Sequence, residues 1–171
     1  GLVGSEMCIR DRTYTVHVFE AVKDGKHFTV DPALVKDPFE TRELKWRPDS
    51  SGLLFEHIER GFGAHRVIEI PVPTGKARTL IDETAETFVF VFGNSFRRDV
   101  NDLKEIIWRS ERDGWNHLYL YDGVTGKVKN QITKGQWVVR EVMEVDEDKR
   151  QIIFRAAGRE PGQDPYYLHT Y

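Results

Sequence analysis

A nucleophilic serine on a strand-to-helix turn needs Gly-x-Ser-x-Gly, since the second glycine lets the chain pack closely behind the exposed hydroxyl. Gly93-Asn94-Ser95-Phe96-Arg97 begins that way and fails at Arg97, so Ser95 is not read as a nucleophile. The six histidines, His17, His27, His57, His65, His117 and His169, offer no His-x-x-x-His pair for a helical zinc site. His57 and Glu59 share a strand face, which permits a metal; they are read as a surface polar pair. His117 opens a strand after a turn and is read as a packing and hydrogen-bonding residue. Asp146-Glu147-Asp148 lacks the spaced oxygen ligands and central glycine of a calcium loop and reads as a solvated hairpin turn. Gly61-Phe62-Gly63 is glycine-rich but precedes no helix that could supply an anion site, so it reads as a loop between strands. No acidic pair for glycoside chemistry stands out, because nearly every acid falls in a turn or at a strand edge. No catalytic, cofactor-binding or metal-ligating residue is assigned, and no cofactor is expected.

Aromatic residues could instead form a carbohydrate or peptide platform. Trp108, Trp115, Tyr119, Tyr121, Trp137, Tyr166 and Tyr167 lie on alternating strands, which points to packing between sheets. Ser110-Glu111-Arg112-Asp113-Gly114-Trp115-Asn116 reads as a strand end, a turn at Asp113-Gly114 and an aromatic plug. A charge pair within Glu111-Arg112-Asp113 would contribute about 0–1 kcal/mol if exposed.

The elements that position these groups repeat. Glu105-Ile106-Ile107-Trp108 is a strand, residues 117–121 return as a second, Thr125-Gly126-Lys127 turns, and residues 128–133 give a third. Gly52-Leu53-Leu54-Phe55, residues 66–70, Thr74-Gly75-Lys76 and residues 77–81 follow the same order. Gln151-Ile152-Ile153-Phe154 and residues 166–169 begin it again. Repeats of roughly 40–50 residues built from short strands are the signature of β-propeller blades, and a ring takes about 4–8 of them. The expected fold is all-β, an incomplete β-propeller of about three to four blades of antiparallel strands.

Elsewhere, residues 14–19 alternate, and Asp24-Gly25 turns into residues 26–30. Residues 31–40 carry Pro32 and Pro38 and read as a connection with one helical turn at residues 33–36; residues 43–46 form a short strand. Five apolar residues, Phe88-Val89-Phe90-Val91-Phe92, predict a strand covered on both faces. Residues 94–102 read as a polar loop, 138–145 as a strand, and 158–165 as a Gly/Pro-rich loop. Missing blades would leave long edges and an uncovered 88–92 strand, so marginal stability and aggregation are expected.

At 171 residues the chain suits one domain with a sizeable core. A net charge of −3 gives no reason to propose nucleic acid or an anionic membrane, and no apolar stretch approaches the roughly 20 residues that span a bilayer. Cys8 is the single cysteine, so no disulfide forms within the chain and the redox compartment stays open. Residues 1–12, Gly-Leu-Val-Gly-Ser-Glu-Met-Cys-Ile-Arg-Asp-Arg, share no pattern with the repeats and resemble translated sequencing adapter. They are set aside as non-native, leaving residues 13–171 as a partial propeller domain.

Residues 105–137 resemble the N-terminal propeller domain of dipeptidyl peptidase IV-like serine peptidases, of the prolyl oligopeptidase family. The similarity rests on Ser-Glu-Arg-Asp-Gly-Trp-Asn-His-Leu-Tyr at 110–119, Thr125-Gly126-Lys127, Gln131-Ile132-Thr133-Lys134-Gly135 before Trp137, and Asp164-Pro165-Tyr166-Tyr167. Leu44-Lys45-Trp46-Arg47-Pro48-Asp49 and Arg66-Val67-Ile68-Glu69 fit the bacterial branch. The resemblance covers about residues 13–171. It implies that the propeller caps an α/β-hydrolase domain of the same parent chain, whose Ser, Asp and His release dipeptides from peptide N-termini, usually after Pro or Ala. It implies a propeller that gates access, a Glu-Glu pair on an earlier blade for the substrate amine, a periplasmic or extracellular parent, and a homodimer as one parental assembly. No two Glu residues are adjacent here and no hydrolase domain lies within the chain, so no catalytic or substrate-binding residue carries over and the fragment alone is expected to be inactive. A non-enzymatic propeller that binds protein or peptide is the rival reading. A propeller glycosidase or lyase would need a convergent acidic pair, and none is identified.

Overall fold

Alternation and turn chemistry dictate thirteen short strands among the residues that the computed structural model describes, 16–19, 23–72, 74–93 and 95–171. The adapter-like segment 1–12, Cys8 included, and the start of the first expected strand lie outside them. A hairpin of β1 (His17–Phe19) and β2 (His27–Thr29) is followed by a 3-10 turn at Pro32–Val35, capped by the Asp31 carboxylate. Strands β3 (Pro38–Trp46), β4 (Gly52–Glu59), β5 (Ala64–Pro71) and β6 (Arg78–Thr84) form one antiparallel sheet in chain order. Strands β7 (Arg97–Val100), β8 (Glu105–Ser110), β9 (His117–Asp122) and β10 (Val128–Gln131) repeat it. A third sheet holds β11 (Val138–Asp146), β12 (Gln151–Ala157) and β13 (Leu168–Thr170).

The sheets stack face to face, and strand alternation sends successive side chains into different cores. Leu53 and Phe55 of β4 pack with Val18, Val30 and Val35 of the hairpin layer. Leu54, between them, packs with Val67, Ile81, Ile106, Trp108, Tyr119 and Tyr121 across the interface of the two four-stranded sheets. Ile107 and Leu118 face the other way, toward Val139 and Phe154 of the third sheet and Trp137 just before it. Inner strands are covered on both faces, and every residue of β8 is buried. In β12, on the outer sheet, Ile153 is exposed. Four-stranded meanders stacked by their faces are propeller blades. The structure is all-β, an incomplete β-propeller, and no sheet closes on itself.

The repeated Thr-Gly-Lys turns owe their glycine to this stacking. A Cβ on Gly75 would meet the Phe28 ring at 2.1 Å, and one on Gly126 would meet the Leu80 carbonyl at 2.3 Å. Both have positive φ, 64° and 73°. In each copy a turn is pressed onto the preceding layer where no side chain fits. At the same end of the sheets Arg47 pairs with the Glu69 carboxylate and donates to the carbonyls of Leu103 and Gly123 in the next sheet.

Three expectations change. Strand β3 begins at Pro38 rather than at residue 43; it is an edge strand, where the missing proline N–H costs no ladder bond. Residues 97–100 are a strand, not a loop; its inward groups are charged, so alternation of apolar residues does not reveal it. Residues 88–92 form no strand. They cross between the first two sheets without regular structure and turn at residues 92–93, burying Val91 and leaving Phe88, Phe90 and Phe92 exposed. An apolar run of this length does not by itself make a ladder: the edges of β6 and β7 stay unpaired, and the run is spent as the connection between their two sheets.

Candidate functional site at a charged seam between two blades

At the end of the sheets opposite the Arg47 clamp, charge replaces hydrocarbon. Glu56 of β4 is buried. It accepts hydrogen bonds from His65 Nε2 at 2.9 Å and Arg42 Nε at 3.0 Å. Burial drives its carboxyl pKa upward, but the His65 bond and charge, Arg42 and Arg97 outweigh this and hold it below the usual value. Arg97 Nη1 lies 3.8 Å from Glu56 Oε1. Its Nε donates to Asp99 at 2.7 Å, and Asp99 also takes Lys45 from the neighbouring sheet at 2.9 Å. Strand β7 is therefore polar in sequence while its Arg97 and Asp99 side chains are covered, because their charges meet partners from β3 and β4; Arg98, between them, stays exposed.

A second group lies along the same interface. Glu83 of β6 accepts from Ser110 Oγ, from Arg112 Nη2 at 2.9 Å and from Trp108 Nε1 at 3.4 Å. Arg112 also donates to the Tyr121 hydroxyl and stands 4.6 Å from the centre of the Tyr119 ring. Burial, reinforced by the Asp113 charge, pushes the Tyr119 hydroxyl up to about 12, and burial raises that of Tyr121 as well, so both phenols stay neutral; the Tyr121 hydroxyl accepts from Arg112, and both rings face its guanidinium. Arg109, whose pKa burial lowers to about 10, donates to the carbonyls of Gly93, Ser95 and Arg140 and so pins the connection between the sheets. Beneath that connection is a cavity of about 90 Å³, with Glu83, Ser110, Arg112 and Asn116 on one wall and Phe88, Val89 and Phe90 on the other.

The arrangement fixes geometry; it does not activate a nucleophile. Ser110 gives its proton to a carboxylate. Ser95 gives its proton to the Val91 carbonyl at 3.0 Å and accepts from Arg42 at 2.9 Å. No serine–histidine bond is seen among the described residues, and no three His, Cys, Asp or Glu side chains there converge as metal ligands. No helix of the described residues is long and apolar enough to cross a membrane.

Other residues singled out by type lie elsewhere. His57 is no surface group: it is fully buried, bonds the Lys36 carbonyl at 3.1 Å, and has its pKa lowered by burial, while Glu59 pairs with Arg66. The β4 face that holds His57 is roofed by residues before β3, which local alternation does not reveal. His117 is buried between Thr133 Oγ1 and the Gly135 carbonyl, edge-on to Trp137. Asp146 caps the β11–β12 turn through Lys149, and residues 61–63 turn β4 into β5. Trp108, Tyr119 and Tyr121 pack between sheets as expected, whereas Trp115, Tyr166 and Tyr167 are exposed at 39%, 84% and 61%. These three sit in turns, beyond the reach of the next sheet. Arg112 pairs with neither Glu111 nor Asp113 but with Glu83 across the interface. Only the arginine inside the 110–116 string hinted at this role, because its partner lies 29 residues away.

A model of the family described as the dipeptidyl peptidase IV (DPP IV) N-terminal region matches residues 11–171. Proteins named dipeptidyl peptidase 4 from Trichophyton equinum and Trichophyton rubrum are 38% and 37% identical over 60 residues, 35% of this chain and 8% of theirs. The one from Arthroderma otae is 27% identical over 127 residues, 71% of this chain and 16% of its own. The chain thus spans a small part of the length of the curated relatives it matches.

Proposed function

The chain belongs to the dipeptidyl peptidase IV N-terminal region family, and we propose that it is the access-controlling propeller portion of a dipeptidyl peptidase IV-like serine peptidase. The carrying observation is the family match across nearly the whole chain, joined to stacked blades tied across their interface by ion pairs such as Arg112–Glu83 and Lys45–Asp99. On this reading the parent's α/β-hydrolase domain supplies Ser, Asp and His, and peptides with a free N-terminus are the substrates. The propeller restricts entry and has no activity alone. A stack bolted by buried ion pairs suits that role, because a gate must keep its aperture while substrates of different length pass. The match from residue 11 supports reading most of the first twelve residues as foreign. A second copy of the parent is its proposed partner.

The test extends the reading frame in the source DNA and expresses both products. The extended protein should release Ala-Pro and Gly-Pro from chromogenic amides, with loss on replacing its Gly-x-Ser-x-Gly serine by Ala. The 171-residue chain should release neither. A genuine stop after Tyr171, or an extension without a hydrolase motif within about 250 residues, a domain's length, overturns the proposal and leaves a binding propeller as the better reading.

A further inference from the structure

We propose that the cleft between the second and third blades binds a long-chain carboxylate, its alkyl tail between the sheets and its head group on Lys134 and Arg159. The cleft has a volume of about 880 Å³, within the roughly 300–1,000 Å³ of small-molecule sites. It exists because the two blade interfaces are filled differently. Three large aromatic side chains, Trp108, Tyr119 and Tyr121, help to fill the first. The buried core of the second is aliphatic alone: Val100, Ile107, Leu118, Leu120 and Val139. The space left over has Ile107 and Leu120 on one wall and Val145, Ile152 and Phe154, all half-buried, on the other. Stacked sheets lie about 10 Å apart, so the gap is one side-chain layer deep and suits an extended chain rather than a compact ligand.

The two ends of the cleft differ in chemistry. At the β11–β12 turn most charges are spent. Asp146 takes Lys149 at 2.7 Å, Glu147 takes the Asn101 N–H at 3.0 Å, and Arg150 reaches Glu105 of β8 at 2.9 Å. Asp148, also on the wall, has no cation partner among the described residues. At the other end Lys134 and Arg159 are exposed, and neither forms an ion pair among the described residues. Arg159 lies over the rings of Trp137 and Tyr171, at 5.1 Å and 4.0 Å. The rings hold the guanidinium while its N–H groups stay unspent. Such a group receives a carboxylate through two parallel hydrogen bonds, and Lys134 adds a second positive charge. A carboxylate is therefore drawn to the Trp137 end and repelled from Asp148, and the tail runs over Phe154 and Ile152 toward the turn.

The experiment titrates the full 171-residue chain with dodecanoate carrying carbon-13 at its carboxyl, followed by the carboxyl resonance and by calorimetry. Dodecanol and the peptide Ala-Leu-Ala-Leu with a free C-terminus are titrated in parallel. The expected result is one dodecanoate per chain, with dodecanol and the peptide each bound at least tenfold more weakly. Lys134→Gln and Arg159→Gln should each lower dodecanoate affinity at least fivefold and leave dodecanol binding unchanged. Both side chains are exposed, so an unchanged circular dichroism spectrum shows that the fold is kept. Ile152→Trp, which fills the gap, should weaken both ligands. Dodecanoate held on the exposed Phe88, Phe90 and Phe92 instead survives either charge change. No saturable binding, dodecanol bound as tightly as dodecanoate, dodecanoate affinity unmoved by both charge substitutions, or the peptide bound more tightly than dodecanoate overturns the proposal.

Discussion

Replacing Arg112 by Met separates two accounts of the same turn. If Arg112 paired only with Glu111 or Asp113 in a solvated hairpin, its removal would cost about 0–1 kcal/mol. In the structure it donates to Glu83 at 2.9 Å and to the Tyr121 hydroxyl, and it faces the Tyr119 ring at 4.6 Å. A hydrogen bond to a charged group contributes roughly 1.5–3 kcal/mol, and a partly exposed cation–π contact roughly 0.5–1 kcal/mol. The Arg112 side chain is 33% exposed and Glu83 keeps Ser110 and Trp108 as donors, which favours the lower part of the range. The expected loss is about 2 kcal/mol, a urea midpoint shift of about 1 M at a slope near 2 kcal/mol/M. Glu83→Gln should cost less, since Arg112 can turn to water. The double variant should show a coupling of about 1 kcal/mol or more. Urea unfolding followed by tryptophan fluorescence measures all four corners. A loss below about 0.5 kcal/mol for Arg112→Met, or additivity with Glu83→Gln, refutes the inter-blade role and restores the local one.

Three further outcomes follow from the same structure. Gly126→Ala sets a Cβ 2.3 Å from the Leu80 carbonyl at φ 73°; the left-handed conformation alone costs about 1–2 kcal/mol, so calorimetry should show a melting point at least about 3 °C lower. Glu56 has its pKa held below the ordinary carboxylate value of 4.5; a depressed acid contributes stability that is present above the unfolded pKa and lost as pH falls through the folded one. Unfolding scans from that ordinary value downward should therefore show a steeper fall in the parent than in Glu56→Gln. Phe88, Phe90 and Phe92 are exposed, so changing all three to Ser should raise the monomer fraction in light scattering while moving the urea midpoint little.

The strands of the repeats are legible in the amino-acid order alone. Residues 52–55, 66–70, 105–108 and 117–121 alternate or run apolar between Gly-containing turns, and they fall within β4, β5, β8 and β9. The blade order and the family motifs are legible for the same reason: turn chemistry and side-chain period act over a few residues. The 88–92 connection and β7 are not. An apolar run does not say whether it joins a sheet or connects two, and a charged strand hides its inward face until Arg97 meets Asp99 and Glu56. The seam itself belongs to tertiary structure, since Arg112 and Glu83, or Lys45 and Asp99, become neighbours only when sheets stack. Local propensity decides which segments extend and where they turn; the burial that turns a surface charge into a fixed, partnered one is created by the second sheet.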